Sequence, residues 1–369
     1  LIRGMLQPPQ GRPMPGLGTL PTEWLDLPLL GQALRQATRG GGLAEASLQY
    51  GDPAGDPRLR RALVHQLAEY GVAAAPEQIV TTLGAPQGLD VVTRTLLRAG
   101  EPVLVDDPGW AVEFARLAAL GLRVLPVPRG EDGADLDVLQ RLIAAHRPRL
   151  YVTVSVLHNP TGASLSLRHA HRLLQIAQQA ELTIVEDDSY AHFASPHLPR
   201  LAALDGLQRT VYVGGFSKIL APGWRVGFVA APAALAERLV DTKLLASLST
   251  PALTERALAH CLEQGLLRRH AERVRQQLDA ARARCTAAAA RHGFRFAAEP
   301  RGLFGWVDAE VDTERVARTL LDAGWLIAPG ALFHAVPRPT TLLRVNFATS
   351  QDDGFWQVLR RTCRHMSRR

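Results

Sequence analysis

A regular alternation of short apolar runs with amphipathic helical patterns, between Ile79 and Ala230, is the feature that most constrains the fold of this chain. The runs are apolar on both faces, which is typical of strands that are covered by helices on both sides of a sheet. The sequence therefore predicts a large α/β domain built on a mainly parallel, seven-stranded sheet. The predicted strands are Ile79–Thr82, Val103–Val105, Val124–Val127, Tyr151–Val156, Thr183–Val185, Thr210–Val213 and Val226–Ala230.

The pattern changes after Pro232. One long helical pattern, Thr254–His292, precedes shorter strand patterns near Phe304–Val307 and Leu342–Phe347, which together predict a smaller α+β domain. The chain of 369 residues, 47% of them hydrophobic, can bury the core of two domains. We predict a linker and the N-terminal part of the small domain at 1–44, a large domain at 45–245, and a small C-terminal domain at 246–369.

The number and spacing of the cysteines indicate the redox compartment of the protein. Cys261, Cys285 and Cys363 lie far apart, without the spacing of a zinc or redox site, so we expect no metal and a reducing, cytoplasmic location. No apolar run approaches the roughly 18 residues of a membrane span, and we expect no membrane association.

The net charge of +7 comes mostly from arginines on helical patterns and in the C-terminal tail, which are usually solvated. The chain has no recognisable DNA-binding motif.

One lysine, Lys218, follows the predicted strand Thr210–Val213 in the stretch VGGFSKILAPGWRVG, and Arg225 comes seven residues later. A lysine amine forms an imine with an aldehyde, and an arginine guanidinium binds phosphate through a planar fork. This pair predicts a covalently held, phosphorylated aldehyde cofactor, pyridoxal 5′-phosphate. Ligands of an open α/β sheet lie beyond the carboxyl ends of its strands, so the loops after the other strands are the places to inspect for supporting chemistry.

Two of those loops offer contacts for the phosphate and the ring. The stretch Gly84–Gly88, GAPQG, follows the first strand and opens a helix, whose free amides and positive end suit an anion; Ala85 and Pro86 form its first turn. Trp110, in DDPGW, follows the second strand and presents a flat ring that could stack on a pyridine face.

Two further loops offer contacts for the ring's polar atoms. Asn159, in HNPTG, supplies a hydrogen-bond donor. In EDDSY, a carboxylate at Asp187 would keep the ring nitrogen protonated, which makes the ring an electron sink, and the hydroxyl of Tyr190 would reach the phenolate oxygen. Each motif alone is weak, because strand-end glycines, acidic caps and buried tryptophans are common. Their order along one chain is what supports the cofactor prediction.

In this order the motifs resemble those of class I and II aminotransferases, of pyridoxal-phosphate-dependent transferase fold type I, over nearly the whole chain. The resemblance makes Lys218 the internal aldimine lysine, Arg225 the phosphate ligand and Asp187 the pyridinium partner. It also implies that Tyr50, in LQYGDPAGDPRLR, reaches the phosphate of a neighbouring subunit in a homodimer. Arg344, in LLRVNFA, matches the arginine that pairs with the substrate carboxylate, and Asn159 also belongs to that substrate site.

The sequence departs from this family at the phosphate site. Many relatives have Ser or Thr three residues before the lysine, where this chain has Gly215. Ala85 and Pro86 stand where a hydroxyl and a second polar donor are frequent. Ser217 and backbone amides must therefore contribute more of the phosphate contact, and we expect a lower cofactor affinity.

Several runs are similar to the aminotransferase-like domains of the MocR group of GntR-type transcriptional regulators: GAPQGLD, EDDSY, SKILAPGWRVG and LLASLST. Those proteins carry a winged-helix DNA-binding domain, which this chain lacks, ahead of a linker. The Pro/Gly-rich stretch Gln7–Gly18 fits such a linker. We therefore favour an effector domain that senses or transaminates an amino acid or amine and contacts DNA only through that absent domain.

Two alternatives share the same chemistry residues. The first is a free-standing aminotransferase, in which Lys218 is also the general base of the 1,3-proton shift. The second is another reaction at the α-carbon, such as β-elimination or decarboxylation.

Overall fold

The computed structural model describes residues 14–367. Within this range its helices are α1 Leu27–Thr38, α2 Gly42–Ser47, α3 Pro57–Glu69, α4 Ala85–Leu96, α5 Ala111–Ala119, α6 Leu136–His146, α7 Leu167–Gln179, α8 Leu201–Asp205, α9 Ala233–Ser247, α10 Ala252–Glu263, α11 Leu266–Arg291, α12 Thr313–Asp322 and α13 Asp353–Ser367. The strands are β1 Ile79–Thr82, β2 Pro102–Asp107, β3 Arg123–Pro128, β4 Leu150–Thr153, β5 Thr183–Asp187, β6 Thr210–Gly215, β7 Gly227–Ala230, β8 Arg295–Phe296, β9 Phe304–Asp308, β10 Ala328–Pro329 and β11 Leu342–Asn346.

The larger sheet has seven strands in the order β1-β7-β6-β5-β4-β2-β3. Strand β7 runs antiparallel to both of its neighbours, and the other neighbouring pairs are parallel. Strands β1, β4 and β7 are buried at every position, because helices cover both faces of the sheet. The predicted α/β fold with a mainly parallel seven-stranded sheet is confirmed.

The reversed direction of β7 has a consequence for the site. Residues Gly215 and Thr82 both pair with Gly227, so the first residue of β7 lies beside the last residues of β6 and β1. The loop that precedes β7 therefore reaches the same edge as the carboxyl ends of the parallel strands. This places Arg225 at the ligand-binding edge, although it precedes a strand rather than following one.

The smaller sheet has four antiparallel strands in the order β10-β11-β9-β8. Strands β9 and β11 pair from Leu342 with Asp308 to Asn346 with Phe304, and each is buried at four of its five positions. The long helix α11 and the last helix α13 contact each other, and α13 buries Phe355 and Trp356. These elements form the α+β part of the chain that the sequence predicts.

Two predicted elements differ from the structure. The single helix predicted over Thr254–His292 is wrong, because the structure has two helices, α10 and α11, with a break at Gln264 and Gly265. Gly265 takes a positive φ of 61°, a conformation that ends a helix and that glycine adopts without steric cost. The strand predicted over Tyr151–Val156 ends at Thr153, because the amide of the next residue donates to a side chain instead of to the neighbouring strand.

The described residues contain no helix that combines the length and the apolar character needed to cross a lipid bilayer. The three cysteines are buried and unpaired. Of the stretch Gln7–Gly18, which the sequence predicts as a linker, the first seven residues lie outside the described range, as do Arg368 and Arg369 of the basic tail.

Candidate active site

A cavity of about 480 Å³ opens at the carboxyl edge of the large sheet. It brings together nine residues that the sequence predicts as site residues, contributed by the loops after β1, β2, β4, β5 and β6 and before β7. Gly84 and Arg344 lie beside the cavity through contacts described below, whereas Tyr50 lies elsewhere. The nine are Ala85, Pro86, Trp110, Asn159, Asp187, Tyr190, Ser217, Lys218 and Arg225.

Lys218 lies just beyond the end of β6, and its side chain faces the cavity. Its amine Nζ donates a 2.7 Å hydrogen bond to the carbonyl oxygen of Gly18. Burial lowers the pKa of Lys218 from 10.5 to about 8, and the positive charge of Arg344 acts in the same direction. The amine can therefore be neutral, and hence nucleophilic, near physiological pH.

Asp187 is the last residue of β5, and its Oδ1 accepts hydrogen bonds from the hydroxyl of Ser189 at 2.5 Å and the amide of Ser189 at 3.1 Å. Burial raises its pKa from 3.8 to about 6, although the bonds from Ser189 oppose the shift. Glu113, a buried carboxylate that lines the same cavity, raises the pKa further. A positive group placed beside Asp187 would relieve this unfavourable ionisation, which fits the predicted pyridinium partner.

An anion cradle forms where the start of α4 meets Arg225. The Arg225 guanidinium donates to the carbonyl of Leu83 at 2.8 Å and to the hydroxyl of Ser217 at 3.1 Å. Gly84 has a φ of +79°, which favours glycine, and a Cβ there would stand 2.7 Å from Arg225 Nη2, so a larger residue would force the guanidinium to move. The free amide of Ala85 at the helix start, together with Ser217 and Arg225, suits a phosphate.

Arg344 is buried on β11, and its Nη1 donates to Oδ1 of Asn159 at 2.8 Å. Its guanidinium carbon lies 4.2 Å from the ring centroid of Phe304, which orients it by a cation–π contact. Burial lowers the pKa of Arg344 to about 10. Tyr190 packs edge-on against Phe304, and burial raises its pKa above the ordinary value. Arg344, Asn159 and Tyr190 thus form one side of the site.

A segment that the sequence predicts as linker forms part of the site. Residues 14–19, here called the N-terminal strap, include the buried Met14 and lie against the charged ends of Lys218 and Arg344. Gly16 accepts from Arg344 Nη2 at 2.7 Å, and Gly18 accepts from Lys218. The side-chain amide of Asn346 donates to two further strap carbonyls. Residues 14–18 belong to the stretch predicted as a linker, yet their carbonyls accept hydrogen bonds from side chains of the site, and no local sequence signal predicts this position.

A buried ionic network beside the cavity was not predicted from the sequence. Asp106, the fifth residue of β2, accepts from Arg129 at 2.7 Å and from Thr153 at 2.8 Å, and it also accepts from the hydroxyl of Tyr151. Arg129 and Asp106 are both buried. The acidic pair that ends β2 was a signal for this network, but its basic partner lies on another loop.

Tyr50 is 84% exposed and lines a separate surface concavity with Glu45 and Arg256. The structure therefore does not bring it to Lys218 within one chain. Its predicted contact with the phosphate of a neighbouring subunit stays a prediction, as does ring stacking by Trp110, which lines the cavity at the start of α5.

A family model described as "Aminotransferase class I and II" matches residues 22–361. The chain is 32% identical over 332 residues to a 2-aminoadipate transaminase of Thermus thermophilus, covering 86% of this chain and 81% of the relative. It is also 32% identical over 290 residues to the HTH-type transcriptional regulator TauR of Rhodobacter capsulatus, covering 75% of this chain and 58% of the regulator.

Among solved structures, the chain superposes with a TM-score of 0.90 on the α-aminoadipate aminotransferase LysN of Thermus thermophilus. That structure holds N-(5′-phosphopyridoxyl)-L-leucine, is 29% identical to this chain, and is matched over 100% of this chain and 95% of its own. The ligand there combines a phosphorylated pyridine with an amino acid, the two groups that the cradle and Arg344 suit here.

Proposed function

Because the chain belongs to the class I and II aminotransferase family, we propose that it transfers the amino group of α-amino acids. Its cofactor is pyridoxal 5′-phosphate, which when bound draws electrons from the substrate α-carbon. In our proposal Arg225, Ser217 and the amide of Ala85 hold the phosphate. Asp187 faces the ring nitrogen, and Tyr190 and Asn159 face the ring's phenolic oxygen.

The observation that carries this proposal is the convergence of two cations on the N-terminal strap. Lys218 Nζ contacts Gly18, and Arg344 Nη2 contacts Gly16, two residues earlier. An aldehyde-reactive lysine and a carboxylate-binding arginine therefore face one short segment. An α-amino acid carries on one carbon an amine, which can replace the Lys218 amine at the aldehyde carbon of the cofactor, and a carboxylate, which can pair with Arg344.

Lys218 and Asp187 supply the proton chemistry in this proposal. The pKa of Lys218, about 8, lets its amine hold or release a proton near neutral pH, as a general base at the α-carbon must. Asp187, with a pKa of about 6, is ionised at pH 7 to 8 and can then stabilise a protonated ring nitrogen. Arg344 would hold the substrate carboxylate on the side of the site where Lys218 lies.

The test is a transaminase assay with the cofactor-loaded protein, a panel of α-amino acids and a 2-oxo acid acceptor. We expect 2-oxo acid formation from at least one donor, and its loss in Lys218→Ala. The amine obtained by removing the carboxylate of the best donor serves as the control and should react poorly. A cofactor-loaded protein that forms no 2-oxo acid from any donor would contradict the proposal.

A second candidate is an effector domain of a MocR-group regulator, in which amino acid binding controls an attached DNA-binding domain. It is supported by the similarity to TauR, of which this chain covers 58%. The test is to read the gene upstream of the Leu1 codon. About 70 to 120 further residues with a winged-helix pattern support this candidate, since that length is enough for a small domain. A nearby start codon contradicts it.

A further inference from the structure

A strongly basic groove lies where the end of α11 meets α13, away from the residues of the proposed active site. It has a volume of about 680 Å³, and we call it the arginine groove. Gly293 and Gln357 complete its lining, so no carboxylate of the described residues lines it. Its basic lining residues are Arg291, His292, Arg360, Arg361, Arg364 and His365.

The helix pattern explains why these arginines gather on one face. In α13 the buried positions include Leu359 and Cys363, so Arg361 and Arg364 project away from the core. The guanidinium of Arg360 lies over the ring of Phe294, 5.5 Å from its centroid. Gly293 leaves room for it, because a Cβ there would stand 3.3 Å from Arg360 Nη2.

The arginine groove has more positive than negative charge. Asp353 accepts from Arg291 at 2.8 Å and from His292 at 3.1 Å, and these hydrogen bonds lower the pKa of Asp353. Glu310 forms an ion pair with Arg360, with 3.7 Å between the charged atoms, a distance too long for a hydrogen bond. Arg361 and Arg364 are exposed and have no ion pair within residues 14–367. Two guanidinium groups are therefore available to an anionic partner.

We propose that the arginine groove binds the phosphate backbone of double-stranded DNA without reading its sequence. Guanidinium groups bind phosphate oxygens through paired hydrogen bonds, and the net charge of +7 favours a polyanion over a single anion. Single-stranded nucleic acid is held largely by stacking of bases on aromatic rings. The groove lining contains no Phe, Tyr or Trp side chain, and Phe294 beneath it is buried, so a duplex is the better match.

This inference is independent of the proposed function, since the groove uses none of the residues assigned to the cofactor or the amino acid. It applies whether the chain acts as a transaminase or as an effector domain. In the second case the groove would add sequence-independent affinity to that of a separate DNA-binding domain.

The experiment measures fluorescence anisotropy of a labelled duplex of about 20 base pairs and arbitrary sequence, with the 369-residue chain, from about 50 to 200 mM salt. We expect binding that weakens steeply with salt. The double variant Arg361→Ala/Arg364→Ala should weaken it about tenfold at low salt and reduce the log–log salt slope by about 2, since each lost phosphate contact removes about one counterion.

The matched control is Arg168→Ala/Arg172→Ala, which removes the same charge from exposed positions of α7. It should change the affinity less than about twofold if local contacts dominate. The variant Arg361→Lys/Arg364→Lys keeps the charge and should retain most of the binding. If the alanine variant is unstable, this lysine variant is measured in its place.

Three outcomes would overturn the proposal. Equal losses in both alanine variants would show that only the net charge attracts DNA. Unchanged binding in Arg361→Ala/Arg364→Ala would show that the groove is not the site. Displacement of the duplex by an equimolar amount of inorganic pyrophosphate would show that the groove is a site for small anions instead.

Discussion

Arg344 Nη2 donates a 2.7 Å hydrogen bond to the carbonyl oxygen of Gly16, so the arginine expected to bind a substrate carboxylate is already bonded to the chain's own backbone. The same guanidinium bonds Asn159, and both contacts are buried. Because Nη2 carries a second hydrogen, a carboxylate can bind it beside the Gly16 carbonyl or in place of that carbonyl. Where the carbonyl is displaced, the charge of the carboxylate compensates for the lost bond, because hydrogen bonds to ionised acceptors are roughly twice as strong as neutral ones.

Replacing Arg344 by Gln should therefore separate amino acids from amines. We expect kcat/KM for an α-amino acid to fall at least a hundredfold, because a charge-assisted bidentate contact is lost. The reaction with the corresponding amine, which lacks the carboxylate, should change by less than about threefold. Single-turnover absorbance with both compounds measures this, and equal losses for the two would show that Arg344 acts only by packing.

The rate at which Lys218 captures the cofactor should level off at a lower pH than it would for an ordinary lysine. The neutral amine is the reactive form, and the pKa of about 8 means that its fraction rises with pH and levels off above about 8 rather than above 10.5. The rate of pyridoxal phosphate uptake by the cofactor-free protein, followed by visible absorbance, measures this. An uptake rate that still rises between pH 9 and pH 10 would contradict the prediction.

Borohydride reduction should then attach the cofactor to Lys218 alone. The chain offers an internal control, because its other lysine, Lys243, is fully buried and donates to the carbonyl of Pro53. Peptide mass spectrometry distinguishes the two lysines. The variant Lys243→Arg should still be labelled and Lys218→Arg should not, and labelling at Lys243 would refute the assignment.

The change Asp187→Asn tests the carboxylate in two ways. The folded pKa of about 6 exceeds the ordinary 3.8, so this group contributes stability at low pH that is lost as pH rises through about 6. The cofactor-free variant should therefore be more stable than the parent at pH 8, by up to about 3 kcal/mol, and similar at pH 4. Denaturant unfolding at both pH values checks this.

In the loaded protein the same variant should keep the cofactor, because Lys218 and Arg225 remain, yet form 2-oxo acid slower by orders of magnitude. Ser189→Ala serves as the control. It removes one hydrogen bond to Asp187 but keeps the charge, and should have a much smaller effect. Equal rates in parent and Asp187→Asn would mean that Asp187 does not face the ring nitrogen.

Tyr50 offers a test for a site shared between two subunits. It is exposed, and Leu43, Leu48, Leu244 and Leu245, which are also exposed, are suitable for burial in an interface. If Tyr50 reaches the phosphate in the partner's site, Tyr50→Ala and Lys218→Ala should each lower activity. Mixing the two variants should restore activity, because one site of each heterodimer is then intact. No recovery after subunit exchange would contradict a shared site.

The Arg129–Asp106 ion pair should be important for stability. Asp106→Asn removes the charge that offsets the buried guanidinium, and we expect a loss of about 3 kcal/mol in the free energy of unfolding. The double variant Asp106→Asn/Arg129→Met should be less destabilised than Asp106→Asn, because no unpaired charge remains. Denaturant unfolding of Asp106→Asn, Arg129→Met and the double variant measures this. If the losses of the two single variants add up in the double variant, this account is contradicted.

Much of the site could be predicted from sequence because the fold converts order along the chain into proximity. Parallel strands end at one edge, so Trp110, Asn159, Asp187 and Lys218, which follow different strands, line a single cavity. Apolar alternation is a local signal that specifies the strands, and the motifs are local signals that follow them. Together they determined the fold class and the cofactor, pyridoxal 5′-phosphate.

Tertiary structure alone decided which distant groups meet. The Gly16–Arg344 contact joins residues 328 positions apart, and a backbone carbonyl carries no side-chain signal, so the strap was indistinguishable from a linker in sequence. The pairing of Asp106 with Arg129 depended likewise on packing against other elements, whereas the break at Gly265 has a local cause, a glycine at positive φ. Local sequence patterns report propensity and periodicity. The partner of a buried charge is set by long-range packing, because a charge removed from water must be paired with a complementary group that the fold brings close.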